Sequence, residues 1–327
     1  MSALAFTLVA LALVGPVPAM LARASWPLRA PRAAIVLWQS IALAAVLSAF
    51  SAGIAIASRL FVPGPDGRPT ATITGEIAAL SLPLWLTYVV VFTVTLFIGA
   101  RLCLAVVQVA IATRRRRAHH RMMVDLLGKS REGLPHHVCT PAGINVPLAR
   151  GGLRILDVAQ PLAYCLPGVR SRVVVSEGTL TTLSDSEIAA IITHERAHLR
   201  ARHDLVLEMF TAVHAAFPRF VRSASALDAV RLLIELLADD AAVRTAGPTP
   251  LARALVACAS GRTPSGAMAA GGPTTVIRVR RLGGKPNSVA LAVTAYLAAV
   301  AVLVVPTVAV AVPWLTELRR LFSSWAG

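Results

Sequence analysis

The chain has 327 residues, 56% of them hydrophobic and 15% charged, with a formal net charge of +16 and a mean hydropathy of +0.69. These values exclude an ordinary soluble domain and describe a chain that spends much of its length in lipid. The positive charge would suit nucleic acid, but aromatics are sparse and the arginines stand in short runs beside apolar segments, so the lipid bilayer is the expected partner and no direct nucleic-acid contact is expected.

The first apolar run covers residues 2–22. No positive charge precedes it and arginines follow it, the reverse of a secretory leader, so it reads as a retained span with its N-terminus outside. The second run covers 33–57, and the third covers 82–100 with an amphipathic extension to about 112. The fourth, 288–315, contains Pro306 and Pro313, which lipid tolerates where neighbouring helices satisfy the freed carbonyls. Each run is close to the roughly 20 residues that a helix needs to cross a bilayer. Arg23, Arg29 and Arg32 follow the first span, and Arg114, Arg115, Arg116 and Arg117 follow the third. By the positive-inside rule these connections are cytosolic. The expected layout is three transmembrane spans in 1–113, a cytosolic domain in 114–287, and a fourth span with a short external tail in 288–327. The chain is then a multi-pass protein of the cell membrane, although Arg319 and Arg320 in the tail pull mildly the other way.

"RRRRAHHR" reads as a stop-transfer anchor, with His119 and His120 on the same solvated face. His136, His137 and Cys139 could suggest a metal, but neighbours on a loop rarely converge on one ion. The four cysteines form no CxxC pair and give neither a disulfide framework nor a Cys-type zinc site.

Within the cytosolic part, "LRILDV" and "SRVVVSEG" read as β-strands set off by Pro and Gly. "LSDSEIAAIITHERAHLRARHDLVLEMFTAV" then reads as one helix. Ser184 and Glu187 form an S-x-x-E capping box, and Ile188, Ile191 and Ile192 make an apolar stripe at helical spacing. His194 and His198 lie four apart, about 6 Å along the axis on one face, and can share one metal ion. Zinc takes two imidazoles this way and leaves room for a third ligand and a water. Glu195, the next residue round, can accept that water's proton as it attacks a carbonyl.

Two third ligands compete. Asp204 follows His198 by six residues, but Ala201 stands where a Gly would have to turn the chain back, so a continuing helix carries Asp204 and His203 off the His194–His198 face. "ALDAVRLLIELLADDAAVRTAG" is a second helix, ended by Gly247–Pro248. On it Glu235 and Asp239 stand four apart in an otherwise apolar stretch. Glu235 is the better ligand candidate, and Asp239 could hydrogen-bond the far nitrogen of a ligating His and fix its tautomer. Otherwise the two carboxylates simply bridge to Arg231 or Arg244.

These residues resemble a known family. "VVVSEGTLTTLSDSEIAAIITHERAHLRARHD" followed by "ELLADDAAV" is similar to the membrane metallopeptidases of the BlaR/MecR sensor-transducers, and more distantly to the HtpX and CAAX-endopeptidase gluzincins. The resemblance implies a mainly α membrane protein with a cytosolic α+β zincin-like peptidase domain between spans three and four. It implies one zinc ion on His194, His198 and Glu235, with Glu195 as catalytic base and Asp239 supporting a ligand. It also gives Arg278, in "RVRRL", to the substrate or oxyanion. "SRVVVSEG" resembles the edge strand along which such proteases lay an extended substrate. Such sensors carry an external penicillin-binding domain after the last span. Only about a dozen residues follow Leu315, so the protease and its membrane module are expected without a sensor of that kind.

The leading function is a membrane zinc endopeptidase that cleaves a cytosolic or membrane-proximal protein, with a winged-helix repressor as the substrate a signalling role would require. A homo-oligomer stays open. Quality control of the HtpX kind is the alternative within the enzymes. A non-catalytic membrane scaffold is the alternative outside them, against which the intact Glu195 argues. A transporter would carry more ionisable residues in its spans.

Overall fold

The first apolar run is broken where a glycine meets a proline. Helix α1 (Ser2–Val14) stops at Gly15, and α2 (Pro16–Arg23) restarts with Pro16 in its first turn, where a missing amide hydrogen costs nothing. The single helix expected over 2–22 is therefore two. The structure, a computed structural model, describes residues 2–57, 73–128, 137–139, 145–147, 152–217, 224–259, 268–269 and 274–323. A 3-10 turn at Trp26–Arg29 leads into α3 (Pro31–Ala57), and α4 (Ile73–Leu80) precedes α5 (Leu82–Leu127).

Helix α5 is 46 residues, about 69 Å at the α-helical rise. It runs unbroken past 113, because no Gly or Pro interrupts it between Arg101 and Leu127. The arginine quartet is thus helical and not a loop, and its last member is not solvated. Arg117, with 12% of its side chain exposed, pairs with Asp204 at 3.0 Å and Glu208 at 2.7 Å. His120 leaves the expected solvated face as well, standing 3.1 Å from the Tyr164 hydroxyl.

Among the described residues four helical segments are long and apolar enough to cross a membrane: Phe6–Arg23, Pro31–Ile56, Leu82–Leu127 and Val289–Val308. The third and fourth leave large apolar side chains such as Phe92, Leu96, Phe97, Leu297 and Val300 exposed, more than a water-facing surface carries.

Strands β1 (His137–Cys139) and β2 (Asn145–Pro147) form an antiparallel pair. Strands β3 (Leu153–Leu156), β4 (Ala163–Leu166), β5 (Arg172–Ser176) and β6 (Met268–Ala269) form a second sheet in the order β3-β5-β4-β6. The two expected strands are β3 and β5. Strand β4 escaped the sequence pattern because all four of its residues are buried, which removes the alternation. The edge-strand expectation for "SRVVVSEG" is overturned. β5 pairs in parallel with β3 on one side and antiparallel with β4 on the other, so its backbone groups are already used.

The remaining helices are α6 (Glu177–Thr182), α7 (Asp185–Ala201), α8 (His203–Ala216), α9 (Ala224–Ala246), α10 (Pro248–Cys258), α11 (Thr275–Leu282) and α12 (Val289–Ser323). Helix α7 packs on the sheet and against α9 and α10, burying Ile188, Ile191 and Ile192 with Val173, Val175 and Leu255. Helix α9 also packs on α3, where Val230, Leu233 and Ile234 join Trp38 and Ile41. This double burial explains why α9 is apolar nearly all round and why its carboxylates stand out.

Candidate metal centre

The site is built on α7. Ser184 and Glu187 close the capping box at its start, with the Ser184 amide donating to Glu187 Oε2 at 2.9 Å. From that fixed start, helical spacing brings His194 Nε2 and His198 Nε2 to 3.2 Å from each other, both rings buried. Glu235 arrives from α9, with Oε2 at 3.4 Å from His194 Nε2 and Oε1 at 3.6 Å from His198 Nε2. Among the described residues these three offer donor atoms within 4.8 Å of one another.

The group fits a divalent cation on the structure's own terms. Two imidazole lone pairs and a carboxylate converge on one point, the donor set that suits zinc. Both carboxylate oxygens of Glu195 are buried without a hydrogen-bond partner, a state tolerated where a charge or a reacting molecule completes the site. Burial, above all, lifts the Glu195 carboxyl to about 7. Cys165 on β4 adjoins it, and burial followed by that carboxylate keeps the thiol protonated.

Two further residues hold His194 and Glu235 in place. Asp239 Oδ1 lies 3.0 Å from His194 Nδ1. Arg278, from α11 and 1% exposed, donates to Asp239 through Nε at 2.9 Å and Nη2 at 2.6 Å, while its Nη1 stands 3.0 Å from Glu235 Oε2. The guanidinium thus bridges Glu235 and Asp239 and its Nη2 also lies 3.4 Å from His194 Nε2; the resemblance had given it to substrate or oxyanion. The spacing offered Arg231 or Arg244 as partner to the two carboxylates; the arginine they meet is Arg278, and Arg231 pairs with Asp228. Burial works against charge throughout this cluster. For Glu235 it is outweighed by His198, His194 and Arg278, which bring the carboxyl down to about 2. For His194 it is outweighed by the hydrogen bonds the ring donates to Asp239 and Glu235, which carry it up to about 9. For His198 burial wins over the charge of Glu235 and takes the ring down to about 3.

One expectation fails just after the motif. The helix does not continue past Ala201. Arg202 takes the left-handed conformation, φ 52° and ψ 42°, and α8 begins at His203. Asp204 stands outside the His194–His198–Glu235 group, but for another reason: it is buried against Arg117. His203 is turned back to the site and brings its Nδ1 to 3.0 Å from His198 Nδ1. Sequence reasoning dismissed this residue because it assumed an unbroken helix, and no Gly marks the break. The His136–His137–Cys139 group falls outside the residues whose side chains the structure describes.

An HExxH helix backed by a glutamate from a second helix, packed under a small mixed sheet, is the arrangement of a metallopeptidase. Residues 144–285 match the family model for peptidase family M48, whose members are zinc enzymes. The matched segment contains His194, Glu195, His198, Glu235, Asp239 and Arg278, and the chain is a metallopeptidase, a hydrolase of peptide bonds. No curated protein matches the chain, and no solved structure does.

Proposed function

We propose that the protein is an integral-membrane zinc endopeptidase of the BlaR/MecR kind, with its peptidase domain on the cytosolic side and a membrane-proximal or cytosolic protein as substrate. The observation that carries this reading is the convergence of His194, His198 and Glu235 beside the unpartnered Glu195, in a domain joined by the continuous helix α5 to an apolar segment fit to cross a membrane. The layout of three spans, domain and fourth span supports the BlaR/MecR assignment, and a winged-helix repressor is the substrate it calls for. The arginines after the first and third apolar segments support the orientation.

Zinc, when held by His194, His198 and Glu235, supplies Lewis acidity to a water and to the scissile carbonyl. The chain supplies the rest. Glu195, near 7 in the metal-free site, takes the proton from the attacking water and returns it to the departing amine. Asp239 holds the His194 ring by its Nδ1, so that Nε2 faces Glu235. Arg278 anchors both acidic side chains.

The test is chelator-reversible proteolysis in isolated membranes, wild type against Glu195→Gln, with an unfolded protein and self-cleavage as reporters. Cleavage that stops with chelator, returns with zinc and is missing in the variant supports the reading. Cleavage that survives both treatments removes it. A quality-control role fits the family match equally well and differs in breadth: it requires many misfolded membrane proteins to be cut, whereas the signalling role requires one.

A further inference from the structure

We infer that His203 is a positioning residue for the metal ligand His198, and that Arg117, on the helix that continues the third apolar segment, holds it in place. This rests on the metal site proposed above and adds to it a support from outside the motif.

The two ring nitrogens of His198 meet different partners. Its Nε2 faces His194 Nε2 and Glu235 and is the atom available to a metal. A ligating Nε2 uses its lone pair, so the ring's proton must sit on Nδ1. That nitrogen meets His203 Nδ1 at 3.0 Å. His198 then donates, and His203 accepts with its own proton on Nε2. The bond fixes both the tautomer and the rotation of the ligand ring, the part that Asp239 plays for His194 on the other side.

His203 reaches this position only because the chain breaks at Arg202. The left-handed turn there is strained for an arginine and needs support from its surroundings. Arg117 supplies it. Its guanidinium binds Asp204, the residue after His203, at 3.0 Å and Glu208, one turn further along α8, at 2.7 Å. Asp204 is 2% and His203 5% exposed, so the first turn of α8 is pinned to α5 in a dry setting. Arg101, sixteen residues earlier on α5, donates to the carbonyl of Ala216 and ties down the other end of α8. A metal ligand is thereby connected, through one hydrogen bond and one ion pair, to a helix that begins in an apolar segment.

The test measures zinc affinity of the full chain in detergent, by competition with a chromophoric chelator, beside the melting temperature of the metal-free protein. His203→Phe, which fills the space but accepts no hydrogen bond, is expected to bind zinc about ten- to a hundred-fold more weakly. His203→Asn keeps an acceptor and is expected to recover most of the loss. Arg117→Gln is expected to weaken zinc binding in the wild-type background but add little in the His203→Phe background, since the two changes act on one contact. Arg117→Met, which keeps the apolar stem and removes the Nη1 that meets both acids, takes its place should the glutamine variant not fold. Unchanged zinc affinity in His203→Phe, or an equal loss in His203→Phe and His203→Asn, overturns the positioning role alone. Wild-type protein that takes up no zinc overturns the metal site and this inference with it.

Discussion

Asp239 Oδ1 lies 3.0 Å from His194 Nδ1, and this one contact decides which nitrogen of the ring faces Glu235 and His198. The carboxylate is buried and shares its oxygens with Arg278, so it can turn only if the arginine turns with it. Orientation of the His194 ring is thus a property of α9 and α11 together, not of the motif on α7.

Asp239→Asn tests this directly. The amide removes the negative charge that holds Arg278 and supports the His194 Nδ1 proton. Zinc affinity is expected to fall about ten- to a hundred-fold, measured by chelator competition, while the circular-dichroism spectrum stays that of the wild type. Undiminished affinity would mean that Asp239 serves Arg278 alone.

Arg278→Met probes the same cluster from the cationic side. The substitution leaves two buried carboxylates without their shared positive charge, and breaking a buried pair costs about 3–5 kcal/mol. The metal-free variant is expected to melt well below the wild type. Zinc is expected to recover part of the difference, because the cation supplies charge to Glu235. A variant as stable as wild type without metal would show that Glu235 and Asp239 are protonated and need no counter-charge.

The helix of the motif was legible in the sequence because three independent local signals agree: the Ser184–Glu187 box, the isoleucine stripe and the H-E-x-x-H spacing. Glu235 and Asp239 were legible for a different reason, that carboxylates in an apolar helix need a partner, and their helix proved buried on two sides. What escaped depends on tertiary context. The turn at Arg202 has no glycine to mark it, so the positions of His203 and Asp204 could not be read from spacing. Strand β4 has no alternation because it is covered on both faces. Nor does a run of arginines show which one will be drawn inside, and Arg117 was drawn in by acids on α8 that lie far away in sequence.

Gly178 makes a prediction about the frame that carries the site. A Cβ at this position would stand 2.0 Å from the carbonyl oxygen of Ala159, a backbone atom that cannot step aside. Gly178→Ala must therefore part the start of α6 from the loop before β4, where Ser176 and Thr179 bind the Leu162 amide. Overpacking of this kind costs about 1–3 kcal/mol, with the upper end expected here. Thermal melting checks it, and a melting temperature equal to that of wild type would show that the loop yields freely.

Glu195 gives the prediction that depends on pH. Its carboxyl stands at about 7 in the folded, metal-free protein against an ordinary 4.5, raised first by burial. The folded state therefore holds this proton more tightly than the unfolded state does. The resulting stability is fully present below about pH 4.5 and is lost as the pH rises through about 7. At pH 8 the metal-free protein carries a buried carboxylate whose neighbour is the weakly donating Cys165 thiol. Glu195→Gln removes that charge and keeps the shape, so the metal-free variant should be the more stable protein at pH 8, by up to about 3 kcal/mol. The advantage should shrink steadily as the pH falls towards 5. Zinc should reduce it at pH 8 too, because a cation beside Glu195 stabilises the ionised form in the wild type alone. Melting curves of both proteins at pH 5 and pH 8, with chelator and with zinc, give all four comparisons. An advantage that does not change with pH would place the Glu195 carboxylate in contact with water and remove the electrostatic reason for regarding it as a poised base.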